Sequence, residues 1–240
     1  MTPLERSIKL KTIGLIGGMS WESSIEYYRI INEVVRERLG GLHSAKSIMY
    51  SVDFAEIDAF QERSEWGEVT KRLIEAACYV ENGGADFIII CTNTMHRMAA
   101  EVQAQIGIPL LHIADATAEK VKALGLRRIG LLGTRYTMEE DFYRGRLERE
   151  HGLEVIIPGK AGRETVHRVI YDELVVGVVN SASKAEYIAI IGDLVEEGAQ
   201  GVISGCTEIG SLVGEGDVSV PVFDTTLIHA TAAAEYALGE

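Results

Sequence analysis

An α/β fold of two pseudo-symmetric units, each a parallel sheet flanked by helices, is what the 240-residue sequence predicts, with a site in the cleft between them. Three observations carry that prediction. Short β-branched runs alternate with longer helical patterns, as in parallel sheets covered by helices. Blocks of sequence recur in one order at nearly constant spacing, the mark of a duplicated unit. The chain then ends in a further strand-like run and an alanine-rich helix, "VPVFDTTLIHATAAAEYALGE", after the second unit should be complete.

The predicted strands are "KTIGLIGG", "ADFIIICT", "RRIGLLGT" and "QGVISGCT". Between them "WGEVTKRLIEAACYVENGG" places apolar residues at helical spacing and stops on glycine. The duplication aligns "IGLIGGMSWESSIEYY", from Ile13, with "IGLLGTRYTMEEDFYR", from Ile129, at an offset of 116. Gly17 then matches Gly133, and Tyr27 matches Tyr143. "GADFIIICTNT", from Gly84, aligns with "GAQGVISGCTE", from Gly198, at 114; "IPLL", from Ile108, aligns with "VPVF", from Val220, at 112. The final strand and helix are read as a return to the first unit. Residues 1–113 with 221–240 form one domain, and residues 114–220 the other. Ligands of open α/β sheets bind beyond the carboxyl ends of the strands, which places the site between the units.

Composition narrows the function classes. A formal net charge of -13 excludes a surface built to neutralise a run of phosphates. A small acidic ligand remains compatible, because a few local donors suffice to hold a carboxylate. Cys78, Cys91 and Cys206 are scattered, odd in number and without metal-ligand spacing, so they read as reduced thiols in a cytoplasmic protein. The N-terminal stretch has no apolar core of a signal peptide, and no apolar run is long enough to span a bilayer. Gly17-Gly18 follows a strand but lacks both GxGxxG and a P-loop lysine, so no nucleotide is assigned to it.

The chemistry concentrates at two strand ends, "IIICTNTMHR" and "VISGCTEIGS". In the repeat register Thr92, not Cys91, matches Cys206; Asn93 matches Thr207, and Thr94 matches Glu208. Side chains alternate along a strand, so Cys91 should face away from Thr92 as a small buried hydrophobe. Cys78 lies on the apolar face of a helix. Cys206 follows Ser204-Gly205, and Thr207-Glu208 should open a helix whose N-terminus would lower the thiol pKa. His96 and His112 follow strand ends and are read as structural.

"GLIGGMSWESSIEYY", "CTNTMH", "IADAT", "LLGTRYTMEEDFYRGRL" and "GCTEIG", in that order, resemble the aspartate/glutamate racemase family over essentially the whole chain, and in particular its bacterial L-aspartate/L-glutamate-specific members. The resemblance implies a cytoplasmic, PLP-independent isomerase that needs no cofactor or metal and works as a homodimer. It implies an acidic amino acid, L-aspartate or L-glutamate, held between the domains. One residue removes the α-proton and another returns it on the opposite face, and both are usually cysteines. Here Thr92-Asn93-Thr94 stands where relatives carry Cys-Asn-Thr, while Gly205-Cys206-Thr207 is intact. The implied catalytic pair is Thr92 and Cys206, with Cys206 the base for the L-enantiomer. Met19, Gln61, Thr92, Asn93, Thr94 and Thr207 are the implied substrate contacts. Glu208 and Cys91 are possible supporting residues behind them. A lysine that relatives carry after an "IYxxV" segment is absent, since Ile170-Tyr171 leads only to Val175.

Such chemistry needs fixed donors for the charge that grows on the substrate carboxylate, and Asn93, Thr94 and Thr207 are suited to supply them. A threonine hydroxyl is a far poorer base than a thiol, so the two half-reactions should be unequal. Glu208 could position Cys206 or take its proton. Two other readings stand beside this one. An arylmalonate-type decarboxylase would also keep the second cysteine without the first, and a catalytically silent amino-acid-binding protein would not need Cys206 at all.

Overall fold

The computed structural model describes residues 10–240; the first nine residues of the predicted first domain and N-terminal segment lie outside the described residues. In the first sheet β1 (Thr12–Gly17) lies between β2 (Lys46–Ser51) and β3 (Phe87–Ile90), and both pairings are parallel. Alternation along these strands splits their side chains between two cores. Ile13, Leu15, Phe87, Ile89 and Cys91 pack beneath α1 (Trp21–Leu39). Ile16, Ile88 and Ile90 pack beneath α3 (Trp66–Asn82), which follows the short α2 (Phe54–Glu62). A sheet covered on both faces explains why β1 and β3 read as unbroken apolar runs.

The second unit repeats the plan. β4 (Arg128–Gly133) lies between β5 (Glu154–Ile156) and β6 (Val202–Gly205), and β7 (Val222–Asp224) extends the sheet beyond β6. The helices α8 (Lys160–Asp172) and α9 (Ser181–Glu196) cover one face. The other face is covered by α7 (Asp141–His151), which follows the single-turn α6 (Arg135–Glu139). Gly84 and Gly198, matched by the repeat, hold φ of 96° and 98°, a region where a side chain would be strained. Each therefore makes the same turn into its strand.

Gly14 has a different reason. A Cβ there would lie 2.2 Å from Val80 Cγ1, so its absence lets α3 settle on β1. Gly14→Ala is expected to lower stability by about 1–3 kcal/mol through overpacking, visible as a lower urea midpoint with an unchanged slope.

The units exchange helices. After β3 and the short α4 (Ala99–Gln103), Leu110 bridges Ile88 in parallel, as Val222 pairs with Val202 in the other sheet. The chain then crosses into α5 (Ile113–Ala123), which packs on the second sheet through Ile113, Ala114, Ala118 and Val121. In return α10 (Thr225–Leu238) lays Ala230, Ala233, Ala234 and Ala237 against the first core. Residues 221–240 are expected from the repeat to belong wholly to the first unit. Their strand portion β7 instead hydrogen-bonds to β6, and only α10 returns. The matching blocks "IPLL" and "VPVF" occupy corresponding strand positions, one in each sheet. Among the described residues no helix is long and apolar enough to cross a membrane.

Candidate active site

The carboxyl ends of β1, β3, β4 and β6 converge on one cavity of about 40 Å³ between the units. Met19 and Ser20 enter from the turn after β1; Thr92, Asn93 and Thr94 follow β3; Thr134 follows β4; Gly205 to Glu208 close β6. The helix α2 contributes Phe54 and Gln61, while α8 and the turn beyond it contribute Ile170, Tyr171 and Val175. Every residue implied as a substrate contact thus lines the same space, as do Cys206 and Glu208. Cys91 does not. It is fully buried with Phe87, Ile89 and Tyr27 in the core on the other face of the sheet, and burial pushes its thiol pKa far up. Its suggested supporting role therefore has no contact with the cavity.

Two polar side chains at the cavity are buried without partners. Gln61 is 3% exposed and its Nε2 donor is unpaired; Asn93 is 2% exposed and its Oδ1 acceptor is unpaired. An unmet buried donor or acceptor costs about 1–3 kcal/mol, so both are poised for a ligand that supplies an acceptor and a donor. A carboxylate and an ammonium would satisfy them. The remaining end of Asn93 is fixed, since its Nδ2 donates to Thr225 Oγ1 at 3.0 Å, and that hydroxyl donates to the Ser204 carbonyl at 2.8 Å.

The Cys206 thiol donates to Glu208 Oε2 at 3.0 Å. Thr207 Oγ1 donates to the same oxygen, and Ser20 Oγ, from the opposite unit, donates to Glu208 Oε1 at 2.8 Å. Burial first, and then the charge of Glu208 and its hydrogen bond, hold the Cys206 pKa well above the ordinary thiol value. This reverses the expected lowering. Thr207-Glu208 forms a turn leading into one short 3-10 turn at Ile209–Ser211, not an α-helix, so no helix dipole of useful length aims at the sulfur.

Further contacts join the units around the cavity. Thr94 and Thr134 hydroxyls lie 3.1 Å apart, and Arg97 pairs with Glu140 while its guanidinium stands over Trp66. Trp66 in turn meets Tyr136 edge-on, with ring centroids 5.1 Å apart. Behind Thr92, His96 Nε2 accepts from the Ile113 amide at 3.2 Å, which leaves Nδ1 to donate to the Thr92 carbonyl at 2.8 Å. His96 thereby ties the β3 end to the start of α5, and His112 Nδ1 caps α5 by accepting from Ala114 N, so both histidines have the structural contacts expected of them.

Ser20, Phe54, Met95 and Thr134 are the lining residues that the sequence reading did not single out. Ser20 and Thr134 cap α1 and α6, accepting from Ser23 N and Thr137 N. A capping serine inside "SWESS" was the available signal. It does not reveal that the same hydroxyl also reaches across the cleft.

A family model for Asp/Glu/hydantoin racemases matches residues 16–233, from within β1 to within α10. The chain belongs to the Asp/Glu/hydantoin racemase family. Among solved members, a candidate Asp/Glu racemase from Yersinia pestis is 56% identical, with a TM-score of 0.90, over 95% of this chain and 100% of that one. An aspartate racemase homologue from Pyrococcus horikoshii is 39% identical, with a TM-score of 0.83, over 95% and 99%. The broad specificity amino-acid racemase of Bacillus subtilis is 21% identical over 222 residues, covering 89% of this chain and 92% of that one. The two parallel sheets with flanking helices are the fold of this racemase family.

Proposed function

We propose that the protein is a cofactor-independent amino-acid racemase in which Cys206 exchanges the α-proton of the L-enantiomer and Thr92 stands at the opposing face. The observation that carries this reading is the single cavity shared by the Cys206 thiol, the Thr92 side chain and the unpaired Gln61 and Asn93 groups. In the reaction the thiolate takes the proton from the α-carbon, and the charge spreads onto the carboxylate. Gln61 Nε2 and the Thr94 hydroxyl are donors placed to stabilise that charge, whereas the Thr207 hydroxyl proton is engaged with Glu208. The unpaired Asn93 Oδ1 accepts from the substrate ammonium. Thr92 hydroxyl, or a water that it orients, returns a proton on the far side.

The substrate class follows two lines. Likeness to a candidate Asp/Glu racemase and to an aspartate racemase homologue supports L-aspartate and L-glutamate as substrates. One feature of the cavity favours a second class, amino acids with neutral side chains. Among the described residues none that lines it is Lys, Arg or His, the only charged one is Glu208, and Phe54, Ile170, Tyr171 and Val175 form an apolar wall. A second buried carboxylate would have to be held there by neutral donors alone, against a desolvation cost of several kcal/mol per ion.

Proton NMR in deuterium oxide tests both points. L-aspartate, L-glutamate, L-alanine and L-leucine should be compared by loss of the α-proton signal. Exchange of none of them, by a folded protein, would overturn the racemase reading; faster exchange of alanine or leucine would assign the neutral class.

The lopsided pair makes a further prediction. D-enantiomers should exchange far more slowly than L, because the residue facing their α-proton is an alcohol that is not ionised near neutral pH. Thr92→Cys is expected to raise D-substrate exchange by at least about tenfold, a modest part of what a positioned acid or base contributes. An unchanged D-rate would remove Thr92 from that face.

A further inference from the structure

We infer that Glu208, oriented across the cleft by Ser20, is the proton acceptor for the Cys206 thiol, so that hydroxyl, carboxylate and thiol form one relay built from both units. The inference rests on the racemase reading and adds to it the origin of the thiolate.

The geometry is specific. Glu208 uses its two oxygens for different tasks. Oε2 accepts from the Cys206 Sγ at 3.0 Å, and Oε1 accepts from Ser20 Oγ at 2.8 Å. Ser20 is 4% exposed and sits at the N-cap of α1, where its hydroxyl position is fixed by the helix it begins. A side chain on the first unit therefore sets the direction of a carboxylate on the second. Among the described residues the thiol has no other acceptor, and none that lines the cavity is a cation able to stabilise a standing thiolate. A sulfur in this setting rests protonated and needs a base at the moment of reaction.

The step balances as a simple transfer. The S–H bond of Cys206 breaks and an O–H bond forms on Glu208 Oε2, leaving thiolate and a neutral carboxyl. The thiolate then takes the α-proton and becomes a thiol again. After a proton has been delivered to the opposite face of the substrate from the Thr92 side, the Glu208 carboxyl releases its proton to solvent, and the Thr92 side regains one. No oxidant, reductant or second substrate is needed.

The carboxylate has two separable effects, which lets one substitution distinguish them. Its negative charge disfavours thiolate at rest, while its basicity supplies thiolate in turnover. Glu208→Gln removes both. Alkylation of Cys206 by iodoacetamide, followed across pH by peptide mass mapping, should show a lower pH midpoint in Glu208→Gln than in the wild type. L-substrate α-proton exchange by the same variant should fall by about 100-fold. Faster exchange together with easier alkylation would mean that Glu208 acts only as a charge, and would overturn the relay. An unchanged alkylation midpoint would overturn the contact itself.

Ser20 is a positioning residue, and its test must separate that role from helix capping. Ser20→Ala should lower kcat several-fold at unchanged KM, corrected for the folded fraction, and Ser20→Thr should restore it. A loss of thermal stability alone, with normal kcat in the folded protein, would leave Ser20 outside the relay. Wild-type protein that alkylates as described but exchanges no amino acid would instead count against the racemase reading. Wild-type exchange that survives Glu208→Gln intact would count against the relay alone.

Discussion

Cys206→Ala is expected to lose about 10³–10⁴-fold in α-proton exchange from the L-enantiomer, the contribution of a positioned base together with its activated sulfur. Substrate binding should persist within a few-fold by calorimetry, because Gln61, Asn93 and Thr94 are untouched. Cys206→Ser should fall nearly as far. It preserves the shape of the site, but an alcohol beside Glu208 is too weak an acid to yield a useful base. Thr92→Ala, in contrast, should leave L-proton washout largely intact while abolishing net formation of the D-enantiomer, since only the return step uses that side. Comparing washout with inversion in both variants isolates the two faces of the α-carbon. Wild-type washout by Cys206→Ala would place the base elsewhere.

The repeat made much of this arrangement legible from sequence. Matched glycines at 84 and 198, with the same left-handed backbone, start β3 and β6 alike, so their ends present equivalent residues to one gap. Burial on both faces made β1, β3, β4 and β6 readable, because each is a continuous apolar run. β2 and β5 escaped the sequence reading for the opposite reason. "KSIMYS" is largely exposed on a sheet edge and "EVI" is only three residues long, so neither carries a strong periodic signal.

The electrostatics of Cys206 were not legible either. Local sequence suggested a helix start beside the sulfur, but burial raises its pKa, and the turn of the Glu208 side chain towards it adds to the rise. That turn is set by Ser20, 188 residues away in sequence, and no local pattern encodes it. The same holds for His96. Its partners, the Thr92 carbonyl and the Ile113 amide, become neighbours only when the crossover into α5 is in place.

Acid should destabilise the fold steeply, beginning near pH 6.5, through three buried histidines. His96 lies 4.5 Å from His112 and 5.6 Å from His229, centroid to centroid, where both crossover segments meet the first sheet. Each ring is hydrogen-bonded as a neutral tautomer. His96 and His112 accept backbone amides through one nitrogen. His229 Nδ1 accepts from the Tyr27 hydroxyl at 2.9 Å while Nε2 donates to the Leu111 carbonyl at 3.0 Å. Protonating His96 or His112 would set an N–H against a backbone N–H, and protonating more than one ring would place like charges side by side. Burial lowers all three pKa values, helped at His96 by the two neighbouring rings and at His112 by Arg146: His96 well below the usual range, His112 to about 3 and His229 to about 4. The cation nearest in effect to His112 is Arg146, itself paired with Asp115.

In the unfolded chain these histidines titrate near pH 6.5, so between that value and the folded values the unfolded state binds more protons. Stability therefore rises with pH across this window and falls as pH drops through it. Each histidine contributes up to about 1.4 kcal/mol per pH unit, and the three together cost about 6 kcal/mol by pH 5. At roughly 2–4 °C per kcal/mol for a chain of this size, the melting temperature should fall by about 12–24 °C between pH 7.5 and 5. Asp58 and Asp224, whose carboxyl pKa values burial raises, act in the opposite direction, but only as pH enters the carboxylate range. His229→Gln, which can keep the hydrogen bond to Leu111 without a titrating ring, should remove about a third of the slope. A melting temperature that stays level from pH 7.5 to 5 would show that these rings are charged or solvated in the folded protein, and the neutral hydrogen-bonded cluster would have to be abandoned.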